Sequence, residues 1–231
     1  MPSILFVEDD LPIREYYSDL LIDAGFEVTA AADSASALAC YEASRPDLVL
    51  LDISLGSDSD AGFDLCMALR TRSEILPIIF LTSHDSDFDK ISGMRLGADD
   101  YITKDVNINY LIVRIKALLK RISTLSKKLP TSPAEQLDLG DLSLNMDKLT
   151  ASWKNKKLDL SLTQLWMLHA LASHAGYVRT PEQLMKAAST VIELNTLTVH
   201  ISNIRKSFET IDAEFSAIKT ERGMGYRWII E

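Results

Sequence analysis

The chain has 231 residues, of which 47% are hydrophobic and 25% are charged, an ordinary globular balance that is sufficient for one large domain or two ordinary ones. No apolar stretch approaches the roughly 18–20 residues that a membrane-spanning helix needs, and no basic segment precedes the acidic Glu8-Asp9-Asp10. These features argue against a membrane span and a signal peptide, and predict a cytoplasmic protein.

The net charge is unevenly placed along the chain. Residues 1–135 hold 13 Lys+Arg against 22 Asp+Glu, whereas residues 136–231 hold 11 of each. The whole net charge of −9 therefore comes from the first part. An acidic part and a neutral part indicate two units with different partners.

Strands and helices alternate five times in the first part of the chain. Short apolar runs bounded by turn residues predict the strands, and longer runs with a 3.6-residue period predict the helices. This alternation is the signature of a doubly wound α/β fold with a five-stranded parallel sheet. The predicted strands are 3–7, 27–31, 48–51, 77–81 and 100–103, and the predicted helices begin near residues 12, 34, 62, 87 and 107.

Polar side chains stand at the ends of four of these strands. Glu8 and Asp9 follow the first strand, Asp52 the third, Thr82 ends the fourth and Lys104 follows the fifth. In a parallel sheet these ends share one edge, so three carboxylates, a hydroxyl and an ammonium converge. Clustered carboxylates favour a hard divalent cation. Beside such a cation a carboxylate can attack phosphorus, while the ammonium and the hydroxyl bind phosphoryl oxygens.

These strand ends resemble the receiver domain of two-component response regulators over residues 3–121. The resemblance implies a flavodoxin-like receiver in which Asp52 accepts a phosphoryl group from a sensor histidine kinase, with Mg²⁺ or Mn²⁺ as cofactor. It assigns Asp9 and Asp52 as metal ligands, with Glu8 acting through water and Ser54 through its carbonyl, and it makes Thr82, Tyr101 and Lys104 the catalytic and switch residues. The motifs are Val7-Glu8-Asp9-Asp10, Leu50-Leu51-Asp52-Ile53, Phe80-Leu81-Thr82-Ser83 and the run from Gly97 to Lys104.

Three features depart from the receiver pattern. Asp105 follows Lys104 where a proline is usual, and the loop after Asp52 is two residues longer than usual. The third is the dimer face of the OmpR/PhoB branch, because Arg95 and Tyr110 replace acidic residues there. We therefore predict a homodimer in the active state whose usual charge pairs are incomplete. The residues that fit the dimer face are Lys90, Asp99, Asp100 and Arg114.

The second part of the chain follows a linker predicted at residues 123–136. Alternating apolar residues over 137–153 predict short antiparallel strands. Capping boxes at Ser161 and Thr180 open two helices, and a third helix is predicted from residue 194 to about 211. Two final strands flank the turn of residues 222–225. We thus predict a receiver over residues 1–122 and a smaller α+β domain over residues 137–231.

The third helix carries one apolar stripe and one polar face. Amides, hydroxyls and cations on such a face suit the major groove of double-stranded DNA. Residues 137–231 resemble the winged-helix output domain of OmpR/PhoB-type regulators, through the runs 196–206 and 220–227. The residues predicted to contact DNA are Asn195, Thr196, Val199, His200, Ser202, Asn203, Arg205 and Lys206 on the helix, and Arg222, Tyr226 and Arg227 in the wing.

The sequence therefore predicts a DNA-binding response regulator with no enzyme activity beyond self-phosphorylation and autodephosphorylation. We expect a dimer on repeated DNA sites, and a contact with RNA polymerase stays open. An alternative keeps the DNA-binding output but places a phosphate-independent receiver under the control of a protein partner. A phosphohydrolase is disfavoured because Ser54 stands where a second aspartate would be needed, and a nucleotide-binding module because no Gly-rich loop is present.

Overall fold

The computed structural model describes residues 1–126, 136–188 and 194–229. The chain forms two compact units, Met1–Leu119 and Lys120–Glu231. None of the helices in these described ranges combines the length and the apolarity that a bilayer crossing requires.

A five-stranded parallel sheet in the order β2-β1-β3-β4-β5 forms the centre of the first unit. Its strands are almost entirely apolar in the middle of the sheet, which is what burial on both faces requires. The strands are β1 (Ser3–Val7), β2 (Glu27–Ala31), β3 (Leu48–Leu51), β4 (Ile78–Thr82) and β5 (Asp100–Thr103). The predicted doubly wound α/β fold is confirmed.

Four helices connect these strands, and a fifth follows β5. Asp10 caps the first helix by accepting from the amide of Ile13, and Gly25, at φ +92°, follows its end. The second helix is capped by Asp33 in a capping box with Ser36, so its first residue is Ser34, where the sequence predicted the helix to begin. The helices are α1 (Leu11–Asp23), α2 (Ser34–Ser44), α3 (Ala61–Arg72), α4 (Asp87–Arg95) and α5 (Ile108–Ser126).

One face of the sheet packs against α1 and α5. Alternate residues of each strand point to this face because successive side chains of a strand project to opposite sides. They meet Leu21 of α1 and the stripe Leu111, Ile115 and Leu118 of α5 in one buried cluster. Burial of this apolar area holds the strand ends, and hence the polar residues beyond them, in a fixed frame. The strand residues of this cluster include Ile4, Phe6, Leu48, Leu50, Ile79, Leu81 and Ile102.

In the described ranges 136–188 and 194–229, the second unit contains three helices and two small antiparallel sheets. One sheet has the order β6-β7-β8-β9 and the other β10-β12-β11. The strands are β6 (Gln136–Leu139), β7 (Leu142–Asn145), β8 (Thr150–Trp153), β9 (Lys156–Lys157), β10 (Val178–Arg179), β11 (Ile218–Glu221) and β12 (Gly225–Trp228), and the helices are α6 (Leu162–Ala172), α7 (Pro181–Ala187) and α8 (Leu194–Glu209). The predicted α+β winged-helix architecture is confirmed.

An aromatic cluster joins these elements in the second unit. Phe208 of α8 stacks on Phe215 with ring centroids 4.0 Å apart, and Trp153 of β8 meets both rings edge-on. Trp228 of β12 completes the cluster and is 2% exposed. Aromatic pairs in these geometries add to the free energy of area burial. The cluster joins the four-stranded sheet and α8 to the hairpin of β11 and β12.

Some predicted boundaries differ from the observed ones. Helix α5 continues through Ser126 and so enters the segment predicted as a linker. The strands β9 and β10 were not predicted, because two residues are too few to show a period. Residues 127–135 of the predicted linker and residues 189–193 lie outside the described residues, and Gln136, the last predicted linker residue, begins β6.

Candidate functional site

The carboxyl ends of four neighbouring strands meet at one edge of the parallel sheet. Val7 of β1 pairs with Leu51 of β3, so the residues that follow them are side by side. The amide of Asp52 also donates to the carbonyl of Val7 at 3.0 Å. Strand pairing alone therefore brings the predicted residues together: Glu8 follows β1, Asp52 follows β3, Thr82 ends β4 and Lys104 follows β5.

Asp52 is buried and its two carboxylate oxygens have different partners. The amide of Ile53 donates to Oδ1 at 2.6 Å, and Lys104 Nζ donates to Oδ2 at 2.5 Å. The same Nζ lies 2.6 Å from Oε2 of Glu8, which is 1% exposed. The Lys104 ammonium is thus placed between two buried carboxylates, where it offsets their mutual repulsion.

The charges of this group shift the pKa values of its members. Burial raises the pKa of Glu8 above its usual range, and the bond and charge of Lys104 only partly offset it. Burial by itself lowers the pKa of Lys104, but the bonds to Asp52 and Glu8 outweigh it, so the pKa is raised. Lys104 is therefore a cation at neutral pH and can neutralise phosphoryl oxygens.

The donor set fits a divalent cation. One oxygen each from Glu8, Asp9 and Asp52 lies within 4.8 Å of the other two. Asp9 is exposed, and its Oδ2 accepts from the amide of Gly56 at 3.0 Å, so the loop after Asp52 is held against the acidic group. Carboxylate oxygens with open positions beside them are the ligands that Mg²⁺ prefers. The carbonyl of Ser54 as a further ligand stays a prediction.

The two predicted switch residues contact one backbone segment. Thr82 is fully buried, and its Oγ1 accepts from the amide of His84 at 3.3 Å. The Tyr101 hydroxyl donates to the carbonyl of His84 at 2.8 Å, and burial raises the pKa of this phenol. The sequence prediction missed His84, although its place two residues after Thr82 would have been a signal.

The longer loop after Asp52 and the Lys104–Asp105 segment, which both depart from the receiver pattern, are each held by hydrogen bonds. In the longer loop, Leu55 and Asp58 form a β-bridge around Gly56, whose φ of +70° favours glycine. Among the described residues every peptide bond is trans, including the one between Lys104 and Asp105. The carbonyl of Lys104 accepts from the Tyr17 hydroxyl at 2.9 Å, which holds this backbone in place.

The predicted dimer face stays a prediction, and three of its four residues are paired within the first unit in this structure. Asp99, Asp100 and Arg114 are buried inside the first unit, with exposures of 5% or less. Arg114 donates to Asp100 from Nε at 2.7 Å and from Nη2 at 2.5 Å, and Asp99 accepts from Arg70 at 2.8 Å. A buried charge is costly unless an opposite charge lies beside it. Asp99, Asp100 and Arg114 each have such a partner within the first unit. Of the four predicted residues, Lys90 of α4 is outside this buried set.

Helix α8 presents part of the predicted DNA-binding face. Ser202 and Lys206 are exposed, Thr196 and Asn203 are half-buried, and the side chain of Asn195 lies outside the described residues. The predicted DNA contacts of Val199 and His200 stay predictions, and both side chains are buried in this structure. His200 is fully buried because it lies beside the apolar stripe of the helix, and Val199 is only 8% exposed, which leaves little area for a thymine methyl group.

Three of the predicted DNA-contacting cations lie in the wing or contact it from α8. Arg205 donates to the carbonyl of Ile218 and to Thr220 Oγ1, both at 2.9 Å, and lies over the ring of Tyr226. Its predicted DNA contact stays a prediction, and in this structure the guanidinium joins α8 to the wing. Arg227 pairs with Glu221 on the neighbouring strand. Arg222 is exposed in the turn between β11 and β12.

Two family models match the chain. Residues 4–116 match the response regulator receiver domain, and residues 155–228 match the C-terminal domain of transcriptional regulatory proteins. The first match covers the sheet and the acidic site, and the second covers α6–α8 and the wing.

Curated relatives are similar over nearly the whole chain. The sensory transduction protein RegX3 of Mycolicibacterium smegmatis is 36% identical, with 98% of this chain and 99% of the relative covered. The alkaline phosphatase synthesis regulator PhoP of Bacillus subtilis is 34% identical, with 97% and 95% covered. Among solved structures, the response regulator DrrB of Thermotoga maritima, an OmpR/PhoB homologue, is 29% identical, with a TM-score of 0.51 and 99% of both chains covered.

Proposed function

The chain belongs to the two-component response regulators that join a receiver domain to an OmpR/PhoB-type transcriptional regulatory domain, and on this premise we propose that phosphorylation of Asp52 controls its DNA binding. The observation that carries the proposal is the buried Asp52 carboxylate, bonded to Lys104 and clustered with Glu8 and Asp9. A buried nucleophile beside a cation and open oxygen ligands is suited to phosphoryl transfer.

Asp52 is the nucleophile in this proposal. A carboxylate oxygen attacks the phosphorus of a phosphohistidine on a sensor histidine kinase, the P–N bond breaks, and the histidine nitrogen leaves with the electron pair. Asp9, Asp52 and the Ser54 carbonyl would hold Mg²⁺ or Mn²⁺, with Glu8 acting through water, and the cation would offset negative charge on the phosphoryl oxygens.

Lys104 and Thr82 act on the same phosphoryl group. Lys104 Nζ, released from part of its bonding to Asp52, pairs with a phosphoryl oxygen, because a dianionic group attracts the ammonium more strongly than one carboxylate does. Thr82 turns its hydroxyl toward another phosphoryl oxygen and gives up its bond from the His84 amide. Since Tyr101 is bonded to the same His84 segment, this change reaches β5.

The second unit is the output in this proposal. The exposed face of α8 enters the major groove through Ser202 and Lys206, and Arg222 of the wing contacts the sugar–phosphate backbone or the minor groove. The unit carries no net charge over residues 136–231, so we expect a shallow salt dependence. Two chains bind a repeated site, and contact with RNA polymerase belongs to the same proposal.

A second candidate function keeps the output and dispenses with phosphate. Asp105, directly after Lys104, favours it because another negative charge stands near the ammonium that would bind the phosphoryl group. In this case a protein partner that docks on the receiver controls DNA binding.

The test is the intact mass of the full chain after incubation with Mg²⁺ and a small-molecule phosphodonor. We expect one phosphoryl adduct on the wild-type chain and none on Asp52→Ala. An adduct that persists on Asp52→Ala would refute the assignment of the acceptor. No adduct on the wild type, with metal shown to bind, would favour the phosphate-independent candidate.

Stoichiometry on DNA tests the output. Native mass analysis on a specific site should show two chains for each site, and one chain would refute the dimer. Lys206→Ala should weaken DNA binding and reduce the salt slope by about one unit, because each phosphate contact contributes about one released counterion.

A further inference from the structure

The ring of His84 lies between the loop after Asp52 and the first turn of α4. Its Nε2 is 3.0 Å from Ser54 Oγ, and its Nδ1 is 3.3 Å from Asp89 Oδ2. Ser54 is the second residue after the phosphoacceptor, and Asp89 belongs to α4. One side chain thus bridges the loop that borders the acidic site and a helix of the fold.

The hydrogen-bond chemistry fixes the direction of this bridge. An ionised carboxylate only accepts hydrogen bonds, so Nδ1 is the ring nitrogen that donates a proton toward Asp89. In the tautomer with this single ring proton, Nε2 accepts from the Ser54 hydroxyl at 3.0 Å, which is closer than the other acceptor of that hydroxyl, the carbonyl of Ser59 at 3.4 Å. Asp89 is itself held by the helix start, because Ser86 Oγ donates to its Oδ2 at 2.6 Å and its amide donates back to Ser86 Oγ at 3.1 Å.

The backbone of His84 is anchored as well. Its amide donates to Thr82 Oγ1 and its carbonyl accepts from the Tyr101 hydroxyl. With its backbone tied to β4 and β5 and its ring to α4, His84 is the fixed partner in the contact. Ser54 is therefore the group that the contact restrains.

The loop that begins at Ser54 has reason to need such a restraint. Residues 56–60 are exposed, and the loop folds back through the Leu55–Asp58 bridge. An exposed loop loses conformational entropy when a ligand orders it, and this loss weakens binding. A loop that is already held pays less of this cost.

We propose that His84 is a positioning residue for cation binding at the Asp52 site. Its ring anchors the Ser54 hydroxyl, and this keeps the Ser54 backbone at the edge of the acidic group, where its carbonyl serves the cation. The proposal rests on the metal-dependent function proposed above. It makes His84 part of the chemistry of the site although the ring does not touch the reacting atoms.

Binding of Mn²⁺ to the full chain tests the proposal, with free Mn²⁺ measured by electron paramagnetic resonance. Ser54→Ala removes the hydroxyl but keeps the carbonyl, and we expect it and His84→Ala each to weaken binding about three- to tenfold, the value of one hydrogen bond. The double variant should be no weaker than the weaker single variant, because both remove the same bond. His84→Gln, which keeps a donor and an acceptor, should recover part of the affinity.

Two controls separate the possible outcomes. His174→Ala makes the same change at an exposed residue of the second unit and should leave Mn²⁺ affinity unchanged. Asp9→Asn tests the metal site itself and should weaken binding strongly. Wild-type affinity in both Ser54→Ala and His84→Ala, or effects that multiply in the double variant, would overturn the positioning role alone. A wild-type chain that binds no Mn²⁺ would overturn this role together with the metal-dependent function.

Discussion

The buried ion pair of Arg114 and Asp100 offers the most demanding test of the receiver structure. Arg114 is 4% and Asp100 5% exposed, and two N–H groups of the guanidinium donate to one carboxylate oxygen. Arg114→Leu would fill much of the same space but leave the carboxylate buried without its cation. Removing one partner of such a pair destabilises a domain by about 3–5 kcal/mol.

This loss can be converted into a melting temperature. The first unit has 119 residues, and an unfolding entropy of about 2.1 cal/mol/K per residue gives about 250 cal/mol/K for the unit. A loss of 1 kcal/mol then corresponds to about 4 °C, so Arg114→Leu should melt about 12–20 °C below the wild type.

Two optical signals separate the units in this experiment. Far-UV circular dichroism reports on both units, whereas tryptophan fluorescence reports on the second unit alone. We expect the dichroism transition of the receiver to move and the fluorescence transition to stay within about 2 °C, since the substitution lies in the first unit. The tryptophans are Trp153, Trp166 and Trp228.

The pH dependence and a double variant sharpen the test. Burial raises the pKa of Asp100, and the charge of Arg114 opposes that rise. A carboxyl group whose pKa is higher in the folded state makes the fold less stable as the pH rises above the unfolded pKa. Without Arg114 the loss should therefore be larger at about pH 8 than at about pH 5.

Asp100→Asn combined with Arg114→Leu removes the unpaired charge and should recover at least half of the lost stability. A single variant that melts within about 4 °C of the wild type would refute the reasoning. A double variant no more stable than the single one would do the same.

Three further predictions concern other parts of the chain. Gly62→Ala should destabilise the receiver by about 1–3 kcal/mol in denaturant unfolding, because a Cβ atom there would lie 2.1 Å from the carbonyl oxygen of Asp52. An unchanged midpoint would contradict the packing. Burial raises the pKa of the Cys66 thiol to about 11, so a thiol reagent near neutral pH should label the half-buried Cys40 well before Cys66, and equal rates would disprove the burial. Hydrogen bonds from the Lys154 ammonium and the Trp153 indole lower the pKa of Asp212. The stability this adds is present above pH 3.8 and lost as the pH falls through the folded pKa, so Asp212→Asn should be less stable than the wild type at neutral pH and equal to it in acid, by fluorescence-monitored unfolding.

The acidic site could be predicted because it depends on strand ends. The apolar run 48–51 has one buried arrangement in an α/β fold, and the residue after it must lie at the carboxyl edge of the sheet. The same reasoning placed Lys104 beside Asp52 across 52 residues of chain. Periodicity and turn residues are local signals. They were sufficient to predict the position of a site residue wherever that position depends only on which strands pair.

The sequence could not determine which polar side chains would form their bonds within the fold rather than at its surface. Arg114, Asp100 and Arg205 have the residue types of a surface contact, yet their charged groups are satisfied within their own units. His200 lies at the boundary between the apolar and the polar faces of α8. A small rotation of this helix about its axis would decide whether the ring is buried or exposed, and in the structure it is buried.

By itself, then, the sequence determined the order of the elements, the parallel sheet and the proximity of Asp52, Glu8 and Lys104 at its edge. The reason is that hydrophobic periodicity and chain direction can be read from short stretches of sequence. Only the tertiary structure decided the partner of each charge and the bridge from Ser54 through His84 to α4. Those contacts join residues far apart in the chain, and their distances depend on how whole elements pack rather than on any local pattern.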